Sequence, residues 1–495
     1  MIRIDSIWKK TMLWLVPGAV FLFLGNGSLV VPAAAWLFPV FLLRFSRSMP
    51  VRSGFLSLAP VISIVSIISF WSMTAPEPDL LMQLLPGVLG LLLSLTFTVD
   101  RLFSGRLKGF SSTFVFPLAY TSFDFLLSRL NPMGSTGVLA YTQYENLPLI
   151  QLVSITGLWG LTFLITWFGA VINWIWGMDF QWQRIRTGVL TFTGVLAAVL
   201  LFGGLRLAIP VSAPATVTAA GLYVYDLREE GAKIWRLSRE DREAYRFYSQ
   251  EIQDDLFRVS EQAASGGADI IVWAEISPFI GEEDVPQLKE RASMFAAEHH
   301  VYLCVNPYID IPDAPDENVL WLFSPDGSLA IEHYKFGGAV IEGTVAGDGI
   351  LKSVTTDWGT MSGVICWDQD FPHIMRQAGK MRATVMLAPN ADWDAITPTH
   401  TYMGVFRAVE NGYALIRPNV NGLSVITDAY GRVAAAMDHR QTEQDQWMMM
   451  GQLPVYQIRT IYSLIGDLFG WLALAGLAGL VSYTQVTNRV SSDLR

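Results

Sequence analysis

The stretch Met361-Ser-Gly-Val-Ile-Cys-Trp-Asp-Gln-Asp-Phe-Pro372 decides how this chain is read. Apolar or small residues run up to Cys366 and stop. Trp367 to Asp370 then form a polar turn, and Phe371-Pro372 opens a helix over 373–380. A strand that ends in Cys at a tight turn into a helix holds the sulfur outward, with fresh backbone N–H groups beside it. The same residues also suit a small apolar side chain that closes a core strand. Two other stretches decide between these readings, and they come from the rest of the chain.

Of the 495 residues, 52% are hydrophobic and only 16% charged, and 17 are Trp. Mean hydropathy is +0.36. Such an excess must be concentrated, and it lies in the first two hundred residues and the last forty. Residues 1–207 hold 13 basic and 7 acidic side chains, whereas 208–455 hold 18 basic and 35 acidic. An acidic domain joined to a basic, apolar part argues against a nucleic-acid partner. The two cysteines, Cys304 and Cys366, give no disulfide framework and no metal cluster by spacing. Cys304 lies in a mostly apolar strand and reads as core.

Apolar runs that suit a bilayer fall at 12–25, 28–43, 54–73, 80–99, 110–127, 149–176, 188–205 and 462–483. This predicts about eight spans, the first two short enough to form one hairpin. Basic residues gather at alternate loops: Arg3, Lys9 and Lys10; Arg44, Arg47 and Arg52; Arg101, Arg106 and Lys108; Arg184 and Arg186. Loops 25–27 and 74–79 carry none. The bias puts the N-terminus in the cytoplasm and the domain after the seventh span outside. The last span returns the tail, with Arg489 and Arg495, to the cytoplasm. The expected division is 1–207, a membrane domain; 208–455, an extracytoplasmic domain; and 456–495, a closing span and tail. The Gly-, Tyr- and Asn-rich loop 131–147 falls on the outer face and reads either as a connection or as a rim that meets lipid.

Within the acidic domain, 216–223 reads as a strand and 239–264 as an amphipathic helix. Asp269-Ile-Ile-Val-Trp-Ala-Glu275 is an unalternated buried strand that ends in a carboxylate, costly to bury without a task or partner. A helix over 285–299 and a strand over 301–308 follow. The runs 318–323 and 329–334 flank Ser-Pro-Asp-Gly-Ser as a hairpin whose second arm delivers Lys335, with Glu342 shortly after. Beyond Cys366 come a strand at 384–388, a helix at 399–412 that holds Arg407 and Glu410, and strands at 413–420 and 423–427. Alternating strands and helices with hairpins predict a layered α/β sandwich of roughly 240 residues.

A Glu ending one strand, a Lys ending a later one and a Cys at a strand-to-helix elbow, in that order, resemble the nitrilase (carbon–nitrogen hydrolase) superfamily. The matching pieces are Trp273-Ala-Glu275, His333-Tyr-Lys335 and Gly363-Val-Ile-Cys-Trp-Asp-Gln-Asp-Phe-Pro372, with Phe406-Arg-Ala-Val-Glu-Asn411 and Asn421-Gly-Leu-Ser424 after them. Nearly the whole chain resembles one branch, the apolipoprotein N-acyltransferases. The membrane-side stretches Gly137-Val-Leu-Ala-Tyr-Thr-Gln143, Gly157-Leu-Trp-Gly-Leu-Thr-Phe163 and Thr460-Ile-Tyr-Ser-Leu-Ile-Gly-Asp-Leu-Phe469 are similar to that branch. After the nucleophile, Trp367-Asp368 looks closer to the soluble amidases.

The resemblance implies an αββα nitrilase-like domain and an acyltransferase with Glu275, Lys335 and Cys366 as catalytic triad, and Glu342 is placed with them as a second glutamate. A thiol is mostly protonated at neutral pH, so Cys366 needs a base, and Glu275 suits that task. The Trp367 N–H and the Lys335 ammonium suit an oxyanion. The expected reaction passes an acyl chain from a phospholipid, through a Cys366 thioester, to the N-terminal amine of a diacylated lipoprotein, in the cell (inner) membrane. The scheme requires no metal or cofactor and no histidine, so His333, His373 and His400 read as structural. A monomer is expected. A membrane-tethered amidase or acyl-hydrolase, N-acylation of a different amine, and an inactive scaffold or transporter remain alternatives.

Overall fold

The computed structural model describes residues 2–73, 80–209, 213, 215–442, 447–456 and 458–493, with side chains over the same residues except 2–11 and 487–493. Loop 74–79 and Arg495 of the orientation argument lie outside the described residues, as do the side chains of Arg3, Lys9, Lys10 and Arg489. The chain divides into two compact units. One comprises Met1–Leu130, Gly137–Ala208 and Ile465–Arg495; the other comprises Asn131–Thr136 and Ile209–Leu464.

In the first unit each apolar run forms a helix: Ile2–Leu24, Pro32–Ser48, Val51–Phe70, Leu80–Phe103, Val115–Leu130, Leu158–Gly177, Trp182–Ala208 and Leu468–Asp493. The expected count of about eight spans is not reached among the described residues. Among the described residues, five helices are long and apolar enough to cross a membrane: Val51–Phe70, Leu80–Arg106, Leu158–Gly177, Trp182–Ala208 and Leu468–Val486. Of the other three, Ile2–Leu24 has 23 residues but its apolar part is only Met12–Leu24, and two are short. Pro32–Ser48 has 17 residues and Val115–Leu130 has 16, below the ~20 that a bilayer core takes. The run 149–176 is not one helix, because Gly157 adopts φ +64° and splits two single turns from Leu158–Gly177. Leu29–Val30 pairs with Gly25–Asn26 as a minimal hairpin between the first two helices.

Three buried carboxylates inside this unit are partnered, as an apolar setting demands. Asp124 accepts from Leu139 N and Thr162 Oγ1 at 3.1 and 3.2 Å. Asp100 takes Arg47 in a two-pronged ion pair at 2.8 Å. Asp467, just before the last helix, accepts from Trp159 Nε1 at 2.8 Å and pairs with Arg129. The 131–147 loop is not an open connection: Leu139–Gln143 is a buried 3₁₀ turn, and Gln143 accepts from Trp36 Nε1 at 2.9 Å.

Two sheets build the second unit. The larger runs Trp447–Val455, Ala215–Tyr223, Ile270–Trp273, Tyr302–Val305, Glu317–Phe323, Tyr308–Asp310, Phe279–Gly281, with Leu329–Tyr334 also paired to Glu317–Phe323. The other runs Ser353–Thr356, Gly359–Gly363, Ala383–Leu387, Ala414–Arg417, Leu423–Thr427, Val433–Asp438. Strand alternation sorts the apolar residues into layers. Val217, Ile270, Val272, Leu320 and Leu322 of the larger sheet share a core with Met361, Ile365, Val385, Leu387 and Ile416 of the smaller. The opposite face of the larger sheet (Leu222, Ile271, Trp273) packs on helices Arg242–Ser265 and Val285–His299. The opposite face of the smaller (Met386, Leu415) packs on Pro372–Lys380 and Thr399–Asn411. The result is the four-layer αββα sandwich.

The helix expected at 239–264 is Arg242–Ser265; a separate helix, Leu227–Glu240, precedes it, and the Asp241 side chain accepts from Ala244 N at 3.0 Å to cap the new start. The unit also runs past 455, to Leu464. There Thr460 Oγ1 donates to Glu410 O at 2.5 Å, and Arg376 Nη2 donates to Leu464 O at 3.0 Å.

Candidate active site

In each sheet the central strands are parallel: Ala215–Tyr223, Ile270–Trp273 and Tyr302–Val305 in one, Gly359–Gly363, Ala383–Leu387 and Ala414–Arg417 in the other. Parallel neighbours end at one edge, which is where a functional crevice forms. Glu275 leaves Trp273 at that edge of the first sheet, and Cys366 leaves Gly363 at that edge of the second.

Cys366 is buried and takes φ +44°, unusual for a residue with a side chain and a form of strain met at functional sites. Its N–H donates to Pro389 O at 3.0 Å, and it begins the 3₁₀ turn Cys366–Asp370. The first turn of such a segment leaves the N–H of Trp367 without an intrahelical acceptor, so it is available to a substrate oxygen. The elbow is held by Asp368, which the sequence reading passed over as a site residue. Its carboxylate accepts from Ile365 N (2.9 Å), Phe336 N (2.9 Å), Gly337 N (2.7 Å) and His333 Nε2 (2.8 Å). One buried carboxylate thus ties the Cys366 turn to the strand that delivers Lys335. Burial alone would raise the Asp368 pKa, but His333 and the backbone N–H groups outweigh it and hold the group below its ordinary range.

Lys335 is buried, and its Nζ donates to Glu275 Oε1 at 2.7 Å and to the Glu342 oxygens at 2.6 and 2.7 Å. Burial alone would lower its pKa; Glu275 and Glu342 reverse this and hold it well above the ordinary lysine value. The two carboxylates thus favour its ammonium form. Its Nζ lies 5.7 Å from the centre of the Trp367 ring. Glu275 Oε1 also accepts from Asn318 Nδ2 at 2.9 Å, and Oε2 accepts from Ala391 N at 2.9 Å. Three of about four lone-pair positions of this carboxylate are thereby used, leaving one for a proton. Asn318 is itself oriented by Asn306 Nδ2 at 2.9 Å.

The Cys366 thiol is pushed well above its ordinary pKa by burial first and Glu275 next, with Lys335 opposing. A thiol so placed is protonated at rest and needs a base when it attacks. Glu275 is the carboxylate acting on it most strongly. The structure therefore brings Glu275, Lys335 and Glu342 into direct contact and sets Cys366 in their field, with Glu342 as the solvent-facing member (side chain 34% exposed). Cys304 lies in the inter-sheet core, where burial raises its pKa.

The donor atoms of Cys366, Asp392 and His400 lie within 4.8 Å of one another, a grouping of the kind that can take a metal ion. Asp392 already receives His400 Nδ1 at 2.6 Å, Asn419 Nδ2 at 2.5 Å and Arg417 Nη2 at 3.2 Å. A guanidinium beside the same carboxylate repels a second cation, so these residues fit an ion network better than a metal.

Two glycines set how closely the lysine strand approaches the elbow. A Cβ on Gly337 would lie 2.4 Å from the Trp367 carbonyl carbon, and one on Gly338 (φ +76°) would lie 1.8 Å from the Trp367 ring. Gly338→Ala should displace Trp367 and slow acylation of Cys366 by an activated acyl ester about 10²-fold, the usual cost of a ~1 Å misplacement. An unchanged acylation rate would show that the approach is not needed.

Two family profiles match the chain: carbon-nitrogen hydrolase over residues 232–461, and the apolipoprotein N-acyltransferase N-terminal domain over residues 18–171. The apolipoprotein N-acyltransferase of Geobacter metallireducens is 26% identical over 521 residues, spanning 96% of this chain and 95% of its own length. The chain belongs to the apolipoprotein N-acyltransferases. The Brucella melitensis member of that family is 25% identical, over 71% of this chain and 70% of its own. Among solved structures, a carbon-nitrogen hydrolase from Helicobacter pylori G27 aligns at 17% identity over 48% of this chain and 89% of its own, with a TM-score of 0.38. The family's two parts correspond to the two kinds of sequence met above: an apolar helical stretch, and an acidic α/β domain of the nitrilase superfamily that carries the Cys366 elbow.

Proposed function

We propose that this chain transfers a fatty acyl group from a phospholipid to the N-terminal amine of a diacylated lipoprotein through a thioester on Cys366. The observation that carries the proposal is the Glu275–Lys335–Glu342 cluster beside the Cys366 elbow, in a chain whose family is named for that transfer. Glu275 takes the thiol proton as the sulfur attacks the ester carbonyl. The oxyanion that forms accepts from Trp367 N–H and Lys335 Nζ. Collapse breaks the ester C–O bond, and the lysophospholipid leaves with the proton that Glu275 returns. The lipoprotein amine then attacks the thioester, and Glu275 takes a proton from the nitrogen. The C–S bond breaks, the amide remains, and the returning proton restores the thiol. Each half-reaction uses the same base and the same donors, as a ping-pong transfer requires.

In this reading residues 1–208 and 465–495 anchor the enzyme in the inner membrane with both termini cytoplasmic. Residues 209–464 work as a monomer at the outer leaflet. The alternation of basic loops supports that orientation. Mass spectrometry of lipoprotein N-termini from cells with and without the protein tests the proposal. A third acyl chain, in amide linkage, should appear only with it. A third chain that persists without the protein overturns the acceptor, and purified protein that releases free fatty acid instead of forming amide overturns transfer in favour of hydrolysis.

A further inference from the structure

His400 read as structural from sequence, and the mechanism above leaves it unused. It sits at the start of helix Thr399–Asn411, buried, with its ring between two buried carboxylates. Nδ1 is 2.6 Å from Asp392 Oδ1, and Nε2 is 3.4 Å from Asp370 Oδ1. Arg417, also fully buried, supplies Nη2 to Asp392 Oδ2 at 3.2 Å. Two buried carboxylates therefore face two groups able to carry positive charge, and leaving either carboxylate uncompensated is costly in such a setting. The network touches the reaction at both ends. A ring nitrogen of His400, an Asp392 oxygen and Cys366 Sγ lie within 4.8 Å of one another. Asp392 also follows directly on Ala391, whose N–H holds Glu275. Asp370 closes the Cys366 turn, and its backbone oxygen accepts from Ser135 N (2.8 Å) and Ser135 Oγ (2.7 Å), with Thr136 Oγ1 on its carboxylate at 3.0 Å.

We propose that His400 is a positioning residue for Cys366: its positive charge balances Asp370 and Asp392, so that these carboxylates do not oppose ionisation of the sulfur. The inference rests on Cys366 being the nucleophile and deepens that reading. Burial alone would lower the His400 pKa, but Asp392 and then Asp370 outweigh it and raise the group to about 9, so the ring is charged at neutral pH. The other charges facing the pair are Arg417, 3.1 Å from Nδ1 and opposing that charge, and Glu275, Lys335 and Glu342 on the Cys366 side.

The sign of the effect follows. A neutral residue at 400 leaves an extra negative charge near the sulfur, which disfavours the thiolate and moves its formation to higher pH. The test measures alkylation of the full-length, detergent-solubilised protein by iodoacetamide against pH, with the modified cysteine identified by peptide mass spectrometry. In His400→Gln the midpoint for Cys366 should rise by about one unit or more, with alkylation about tenfold slower below it. In His400→Gln with Asp370→Asn the charge is again balanced, and the midpoint should return towards wild type. An unchanged profile in His400→Gln, or no recovery in the double variant, overturns the proposal. If His400→Gln does not fold, Asp370→Asn alone is read: removal of a negative charge should lower the midpoint, and no shift or a rise overturns it. Iodoacetamide needs neither lipid nor lipoprotein, so a wrong acceptor leaves this result standing. Acyl transfer that survives Cys366→Ala would instead remove its premise.

Discussion

Cys366→Ala abolishes acyl transfer, by more than about 10⁴-fold, and leaves a folded protein. The loss is set by chemistry: without sulfur there is no thioester to carry the chain between two substrates, and removing a nucleophile typically costs about as much as removing the whole catalytic group. The survival of the fold is set by geometry. The contacts that shape the elbow run through backbone and Asp368: Cys366 N to Pro389 O, and the four donors on the Asp368 carboxylate. None uses the sulfur. Incubation with phospholipid, followed by intact-protein mass spectrometry, should find an acyl adduct on the parent and none on the variant, with thermal unfolding of both still cooperative. Amide formation by the variant would remove Cys366 from the mechanism.

Lys335→Met should be nearly as damaging, for two reasons that separate experimentally. The ammonium is a proposed oxyanion donor, and losing one donor lowers the acylation rate about 10²–10³-fold. It also neutralises Glu275 and Glu342, both within 2.7 Å of Nζ. Breaking a buried pair by removing one partner costs ~3–5 kcal/mol, and the partial exposure of Glu342 puts the expectation at the low end of that range. Adding Glu342→Gln to Lys335→Met should recover part of the unfolding temperature but none of the rate. If the rate recovers with stability, Lys335 is a structural counter-ion and the oxyanion assignment fails.

The elements that were legible in the sequence share one property. Glu275 and Cys366 each follow a continuous apolar or small-residue strand, and Lys335 ends the second arm of a hairpin marked by Ser-Pro-Asp-Gly-Ser. Burial and turn chemistry write these features locally. Span number was less legible, because hydropathy registers apolar runs but not how long a helix each run forms. Helix Leu227–Glu240 and the strands Ser353–Thr356, Val433–Asp438 and Trp447–Val455 were not marked. Trp447–Val455 is a strand because it pairs along the full length of Ala215–Tyr223, a partner more than two hundred residues earlier.

By itself, then, the sequence determined the order of the chemistry along the chain: an apolar helical part, a carboxylate, a lysine, a cysteine at an elbow, and a layered α/β domain to carry them. Tertiary structure alone decided what surrounds that chemistry. Asn318 and Ala391 hold Glu275, Asp368 joins the elbow to the lysine strand, and Asp392, Arg417 and Asp370 enclose His400. The reason is physical. A strand or turn follows from neighbours a few residues apart, whereas the hydrogen bonds and charge pairs that set a buried group's protonation join residues brought together only when two sheets pack face to face.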